Sequence, residues 1–108
     1  MKTDRELTEL AARSAGINVQ WNPMRECFEI PGPSPTNIAK SWNPLTDDGD
    51  ALRLAVQLRM AMDVSEYGLV AFCGQGLSRE VKNEDIDGDP YVATRRAIVR
   101  AAAALVAG

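Results

Sequence analysis

Histidine is absent from all 108 residues. With it go His-based acid–base catalysis, the usual catalytic triads and the commonest metal ligand. Cysteine is nearly absent, since Cys27 and Cys73 stand alone with no CxxC spacing. A Cys27–Cys73 pair and two reduced thiols both satisfy that count. Two small buried residues in a reducing cytosol is the expected state. No apolar run reaches membrane-spanning length and the amino terminus is a charged helix start, so neither a membrane span nor a signal peptide is expected. A strong excess of either charge is missing as well. Twelve Lys and Arg against 15 Asp and Glu leave a net −3, which gives no general attraction to nucleic acid or anionic lipid.

What remains is an ordinary globular composition, 45% hydrophobic and 25% charged. A chain of this length makes one domain and buries roughly two-thirds of its unfolded surface without staples. No internal repeat is visible. Charge is nevertheless uneven along the chain. Glu84, Asp85, Asp87 and Asp89 crowd one short stretch, whereas Arg95, Arg96 and Arg100 follow with no acid after them.

The organising stretch is Trp42-Asn43-Pro44-Leu45-Thr46-Asp47-Asp48-Gly49-Asp50, followed by Ala51-Leu52-Arg53-Leu54-Ala55-Val56-Gln57-Leu58. Pro44 fixes its own φ and holds Asn43 extended. Thr46, Asp47 or Asp48 can cap the helix that follows, and their charge suits its positive end. At helical rotation, Leu54, Leu58, Ala51, Ala55, Leu52 and Val56 share an arc wider than half the circumference. Asp50, Arg53 and Gln57 fill the rest. This helix is expected to be flanked on two sides. Gly49 in its first turn costs helix propensity and marks the close approach of another group.

Earlier in the chain, Thr3-Asp4-Arg5-Glu6 fits a capping box. It opens a lightly buried surface helix that shows Leu7, Leu10, Ala11, Ser14 and Ala15 on one face and ends at Gly16. Ile17, Val19 and Trp21 alternate with polar residues, Asn22-Pro23 breaks the run and Cys27-Phe28-Glu29-Ile30 resumes it, as in a short hairpin or a bent edge strand. Pro31, Pro33 and Pro35 make a stiff strap running to Trp42, whose large ring wants burial.

After the central helix come a strand through Met60, Met62 and Val64, a turn at Glu66-Tyr67-Gly68 and a returning strand at 69–73. Residues 77–89 read as irregular. Asp89-Pro90 starts the last helix. That helix shows Tyr91, Val92, Ile98, Val99, Ala102, Leu105 and Val106 on one broad face, Arg96 and Arg100 outside, and Arg95 within the apolar arc. Its apolar arc serves a homodimer as readily as a sheet. The fold class is therefore α+β, with three helices on a small, mainly antiparallel sheet of three to four strands.

Chemistry-bearing patterns are weak. Asn83, Asp85 and Asp87 with Gly88 resemble the start of a calcium loop, but position twelve is Thr94 where a bidentate Glu is needed, and Pro90 interrupts it. Asp47, Asp48 and Asp50 are carboxylates of a kind that holds Mg²⁺, yet capping explains Asp47 and Asp48 without a metal. Gly74-Gln75-Gly76 lacks the full phosphate-loop pattern. Arg95, Arg96 and Arg100, without interleaved aromatics, are a thin phosphate-binding footprint. Arg59 and Arg95 project from apolar arcs, so one of them is expected to pair with Asp47, Asp48 or Asp50 and pin two helices together.

The run from Trp42 to Val56 resembles a signature of small phage and prophage proteins, the phage ABA sandwich domain type. Asp89-Pro90 with Ala93-Thr94-Arg95-Arg96-Ala97-Ile98-Val99-Arg100-Ala101-Ala102-Ala103 is similar to their last helix, and Asp4-Arg5-Glu6-Leu7-Thr8-Glu9-Leu10-Ala11-Ala12 to their first. The similarity covers most of the chain and is weakest over residues 17–41. It implies a compact α/β sandwich encoded by a phage or prophage and brings no activity with it. With neither signal peptide nor membrane span expected, the bacterial host's cytosol is the expected location. The leading expectation is a phage or prophage accessory protein that binds a host or phage protein, without catalysis, metal or cofactor. Its surface would run from Pro31 to Trp42 and onto Asp47, Asp48 and Asp50. Two other classes stand behind it: nucleic-acid binding by Arg95, Arg96 and Arg100, and carboxylate–metal phosphoryl chemistry.

Overall fold

The computed structural model describes residues 2–32, 39–65, 68–73, 81–82 and 89–107. Among the described residues three helices, α1 (Asp4–Ala15), α2 (Asp48–Gln57) and α3 (Pro90–Ala107), pack with six short strands. The strands form two three-stranded antiparallel sheets. One is β1 (Gln20–Asn22), β2 (Cys27–Ile30) and β3 (Lys40–Trp42), and the other β4 (Met60–Ser65), β5 (Gly68–Cys73) and β6 (Val81–Lys82). The α+β class, the three helices and the small antiparallel sheet hold. The strands divide between two sheets because the proline-rich segment ends in β3, which returns to pair with β2. β6 is a strand inside the segment read as irregular, where Val81 pairs with Ala71.

Local chemistry sets the helix ends. The Thr3 side chain accepts from the Glu6 N–H at 3.1 Å, the N-cap half of the expected capping box, while its hydroxyl, rather than its backbone N–H, donates to the Glu6 carboxylate. Gly16 ends α1 at φ 70, a left-handed conformation that costs glycine nothing. The N–H groups of Gly16 and Ile17 donate to the Arg13 and Ala12 carbonyls. Asp89 accepts from the Tyr91 and Val92 N–H groups and opens α3 at Pro90.

α3 is the axis of the molecule. Between Val92 and Leu105 none of its residues is exposed. Ile98, Val99, Ala102 and Ala103 join a core with Leu7, Ala11 and Ala12 of α1, Ala51, Leu54 and Ala55 of α2, Leu58 and Trp42. Ala93, Ala97 and Ala101, at i, i+4 and i+8, form a second buried stripe with Met60 and Leu105 packed against it. A helix enclosed this way is apolar almost all round, and alanine lets its neighbours come close.

Three expectations are corrected here. α1 is no lightly buried helix, because Ala11 and Ala12 are 0% and 1% exposed against α3, and Thr8 and Ala12 stand in for Leu10 and Ser14 at the centre of its buried face. Arg96 and Arg100 lie on no outer face, since both are half-buried. α2 buries a narrower arc than its composition allows. Asp50, Ala51, Leu54, Ala55 and Leu58 are inside, while Leu52 is 57% and Val56 67% exposed.

Trp21, Phe28 and Trp42 stand opposite one another across β1, β2 and β3. The Trp21 and Phe28 rings meet edge-on with centroids 5.0 Å apart, and the Arg5 guanidinium lies 4.0 Å from the Trp21 ring centroid. Trp42 is 4% exposed and carries this row into the helical core. Trp42→Ala is expected to cost about 3–5 kcal/mol, read as a lower urea midpoint, as for other buried aromatics. A loss below about 1 kcal/mol would show that the ring is not part of the core.

Candidate functional site

The acidic start of α2 is built from the turn before it. Asn43 Oδ1 accepts from the Leu45 N–H at 3.0 Å, and the Asn43 carbonyl accepts from the N–H groups of Thr46 and Asp47. Pro44, fully buried, stiffens this turn. Asp47 is the N-cap, its Oδ2 accepting from the Asp50 N–H at 2.8 Å.

Asp50 turns inward, against the pattern of the sequence, and is 5% exposed. Its Oδ2 accepts from the Asn43 N–H at 2.9 Å and its Oδ1 from Arg53 Nη2 at 2.9 Å. The buried carboxylate is therefore satisfied on both oxygens, and it ties the end of β3 to α2. Arg53 reaches it by folding over Gly49. A Cβ on Gly49 would stand 3.1 Å from Arg53 Nη2 and 3.2 Å from Asp47 Oδ2, which explains the glycine in this first turn.

Asp48 faces the other way and takes Arg95 of α3. Arg95 Nε also donates to the Leu45 carbonyl at 2.9 Å. The expected helix-pinning pair is thus Arg95 with Asp48, while Arg59 is an exposed residue at φ 55. Arg96 makes a two-pronged contact to Asp4, at 3.0 and 3.3 Å, and holds α1 to α3. Arg100 is half-buried and likewise engaged. Asp47 and Asp50 share Arg53, at 3.9 and 2.9 Å from its Nη2, while Asp48 turns to Arg95. Among the described residues, no three His, Cys, Asp or Glu side chains gather where they could share a metal ion.

The residues singled out by sequence therefore come together as a clasp. Asp47, Asp48 and Asp50 meet Arg53 and Arg95 around the 43–47 turn, whereas Arg96 and Arg100 lie further along α3. Trp42, with almost no surface, belongs to the core below and presents nothing to a partner. Of the segment Pro31 to Trp42, residues 33–38 lie outside the described residues, as do Gly74-Gln75-Gly76 and the calcium-like positions 83–88. Cys27 is a free, half-buried thiol.

Sequence reasoning missed the surface beside the clasp. Leu52 of α2, Met62 of β4 and Tyr91 of α3 are exposed and wall a groove of about 340 Å³ with Ala51 and Ile98 inside it. Asp48 and Arg95 also line it. The apolar arc of α2 contained Leu52, but nothing in the pattern separates an arc edge that is covered from one that is not. A smaller cleft of about 180 Å³ lies between α1 and the first sheet, lined by Arg5, Trp21, Cys27 and Phe28 among others.

Compared with protein-family models, curated proteins and solved structures, the chain matches none. Among the described residues no helix is long and apolar enough to cross a membrane.

The clasp makes unequal demands on its aspartates. Asp50→Ala is expected to cost about 2–3 kcal/mol, because it strands a backbone N–H. Asp48→Ala, removing a 70%-exposed carboxylate, is expected to cost about 0–1 kcal/mol. Equal losses in urea unfolding would contradict this division. Gly49→Ala is expected to be near neutral in the native chain and to stabilise by roughly 0.5 kcal/mol in an Arg53→Ala background. The same gain in both backgrounds would mean that Arg53 does not occupy that space.

Proposed function

We propose that this chain is a non-enzymatic accessory protein of phage or prophage origin that acts by binding another protein, of the host or of the phage. The observation that carries the binding part is the cluster of Leu52, Met62 and Tyr91 at the α2–α3 groove, large apolar side chains left 57%, 39% and 68% exposed. Contiguous exposed apolar surface on a small domain is what partner binding leaves visible. The origin rests on the resemblance of the central run and of both terminal helices to small phage proteins. The surface differs from the one expected from sequence, because Trp42 is core, Asp47 and Asp50 serve the cap and the β3 junction, and of the three aspartates only Asp48 lines the groove.

The clasp also weighs against the other two classes. Each arginine of a phosphate-binding face would have to leave a bond it already makes, since Arg95 holds Asp48, Arg96 holds Asp4, and Arg100 is engaged as well. A phosphoryl-transfer site needs carboxylates converging on an ion, whereas Asp47 and Asp50 converge on the Arg53 guanidinium and Asp48 turns away to Arg95.

Affinity capture from an infected or lysogenic host tests the reading. A protein retained by the native chain and lost with Leu52→Ser/Tyr91→Ser is expected. Nothing retained, or equal retention by both, would contradict it. The protein is also expected to pass unretained over immobilised DNA at low salt, and salt-sensitive retention lost on Arg96→Ala/Arg100→Ala would instead favour nucleic acid.

A further inference from the structure

We infer that the α2–α3 groove takes a partner segment carrying a bulky apolar side chain flanked by lysine or arginine. This rests on the protein-binding reading above and adds the chemistry of the partner. Ala51 and Ile98, 2% and 3% exposed, lie inside the groove, and Leu52, Met62 and Tyr91 stand at its walls. A leucine-sized or aromatic side chain entering between them desolvates apolar surface on every side, the setting in which binding energy concentrates.

The charge at the mouth selects what flanks that anchor. Asp48 and Arg95 neutralise each other in number but not in position. The Asp48 side chain is 70% exposed and that of Arg95 only 15%, with a second bond to the Leu45 carbonyl holding it down. The pair therefore shows an approaching chain its carboxylate. Asp89, exposed at the start of α3, sets another acid two residues from Tyr91. The exposed arginine of α2, Arg53, sits about 100° round the helix from Leu52 and is bonded to Asp50. Negative potential beside an apolar slot favours a basic flank, in rate of encounter and in choice of partner. A second copy docked by a two-fold axis would bring the same carboxylates to the same seam, so a foreign segment fits better.

Selection of a random twelve-residue peptide display library on the full-length protein tests this. Enriched peptides are expected to pair a bulky apolar residue with flanking Lys or Arg. A synthetic representative is expected to bind about tenfold more weakly to Leu52→Ser, the loss typical of a central apolar contact, and about threefold more weakly to Asp48→Asn, with less salt dependence. Both substituted positions are largely exposed, so each variant is expected to fold, which circular dichroism checks. Enriched peptides with neutral or acidic flanks that still depend on Leu52 would overturn the basic partner and leave protein binding standing. No enrichment, or binding indifferent to Leu52→Ser, would overturn both. A dimer in light scattering that Leu52→Ser dissociates would assign the groove to a second copy and overturn the inference.

Discussion

Close packing of α3 against the other two helices and the second sheet is the constraint on which this structure depends. Its second buried stripe is Ala93, Ala97 and Ala101, and its first includes Ala102 and Ala103 beside Ile98 and Val99. Small side chains allow a helix to be approached from several directions at once, and dense contact then replaces the volume of large residues. The cost is intolerance of growth. A larger residue at Ala101 or Ala102, both 0% exposed, has nowhere to go without moving a neighbouring element.

The polar clasp makes sense on that frame. Packing fixes how far apart α1, α2 and α3 lie, while the directed contacts fix their angle and register. Asp48 with Arg95 and Asp4 with Arg96 each join α3 to another helix near its first turn. Gln57 at the far end of α2 donates to the Ala15 carbonyl at 2.6 Å, closing the third side. Asp50 makes no contact with α3 through these bonds. It fastens α2 to the end of β3 and so holds Trp42 and the first sheet on the helical core. Asp47 and Asp50 are thus spent on construction, Asp48 both joins α2 to α3 and lines the groove, and the exposed apolar walls of the groove have no structural duty.

Much of this was legible in the residues. Thr3 with Glu6, Gly16, Asp47 and Asp89-Pro90 announce helix ends through local hydrogen-bonding chemistry, which needs no knowledge of the rest of the chain. The break at Asn22-Pro23 between two apolar runs allows a hairpin or a bent edge strand, and the β1–β2 pairing decides for the hairpin. That Arg59 or Arg95 pairs with one of Asp47, Asp48 and Asp50 follows from the cost of an unpaired charge in an apolar arc, and the structure selects Arg95 with Asp48. What failed depends on distant partners. Asp50 reads as a solvent residue until Asn43 and Arg53 are placed around it. Leu52 and Val56 read as core until α3 is seen to cover only one side of α2. The closeness of α1 to α3 comes from alanines, whose weak hydrophobicity hides how tightly they pack.

Native-state hydrogen exchange of the α3 amides tests the packing claim most directly. The N–H groups of Val99 to Ala103 are expected to exchange only through global unfolding, with opening free energies equal to the stability measured in denaturant. Opening well below that value, with α1 and α2 still protected, would show that α3 is a peripheral element and would contradict the account.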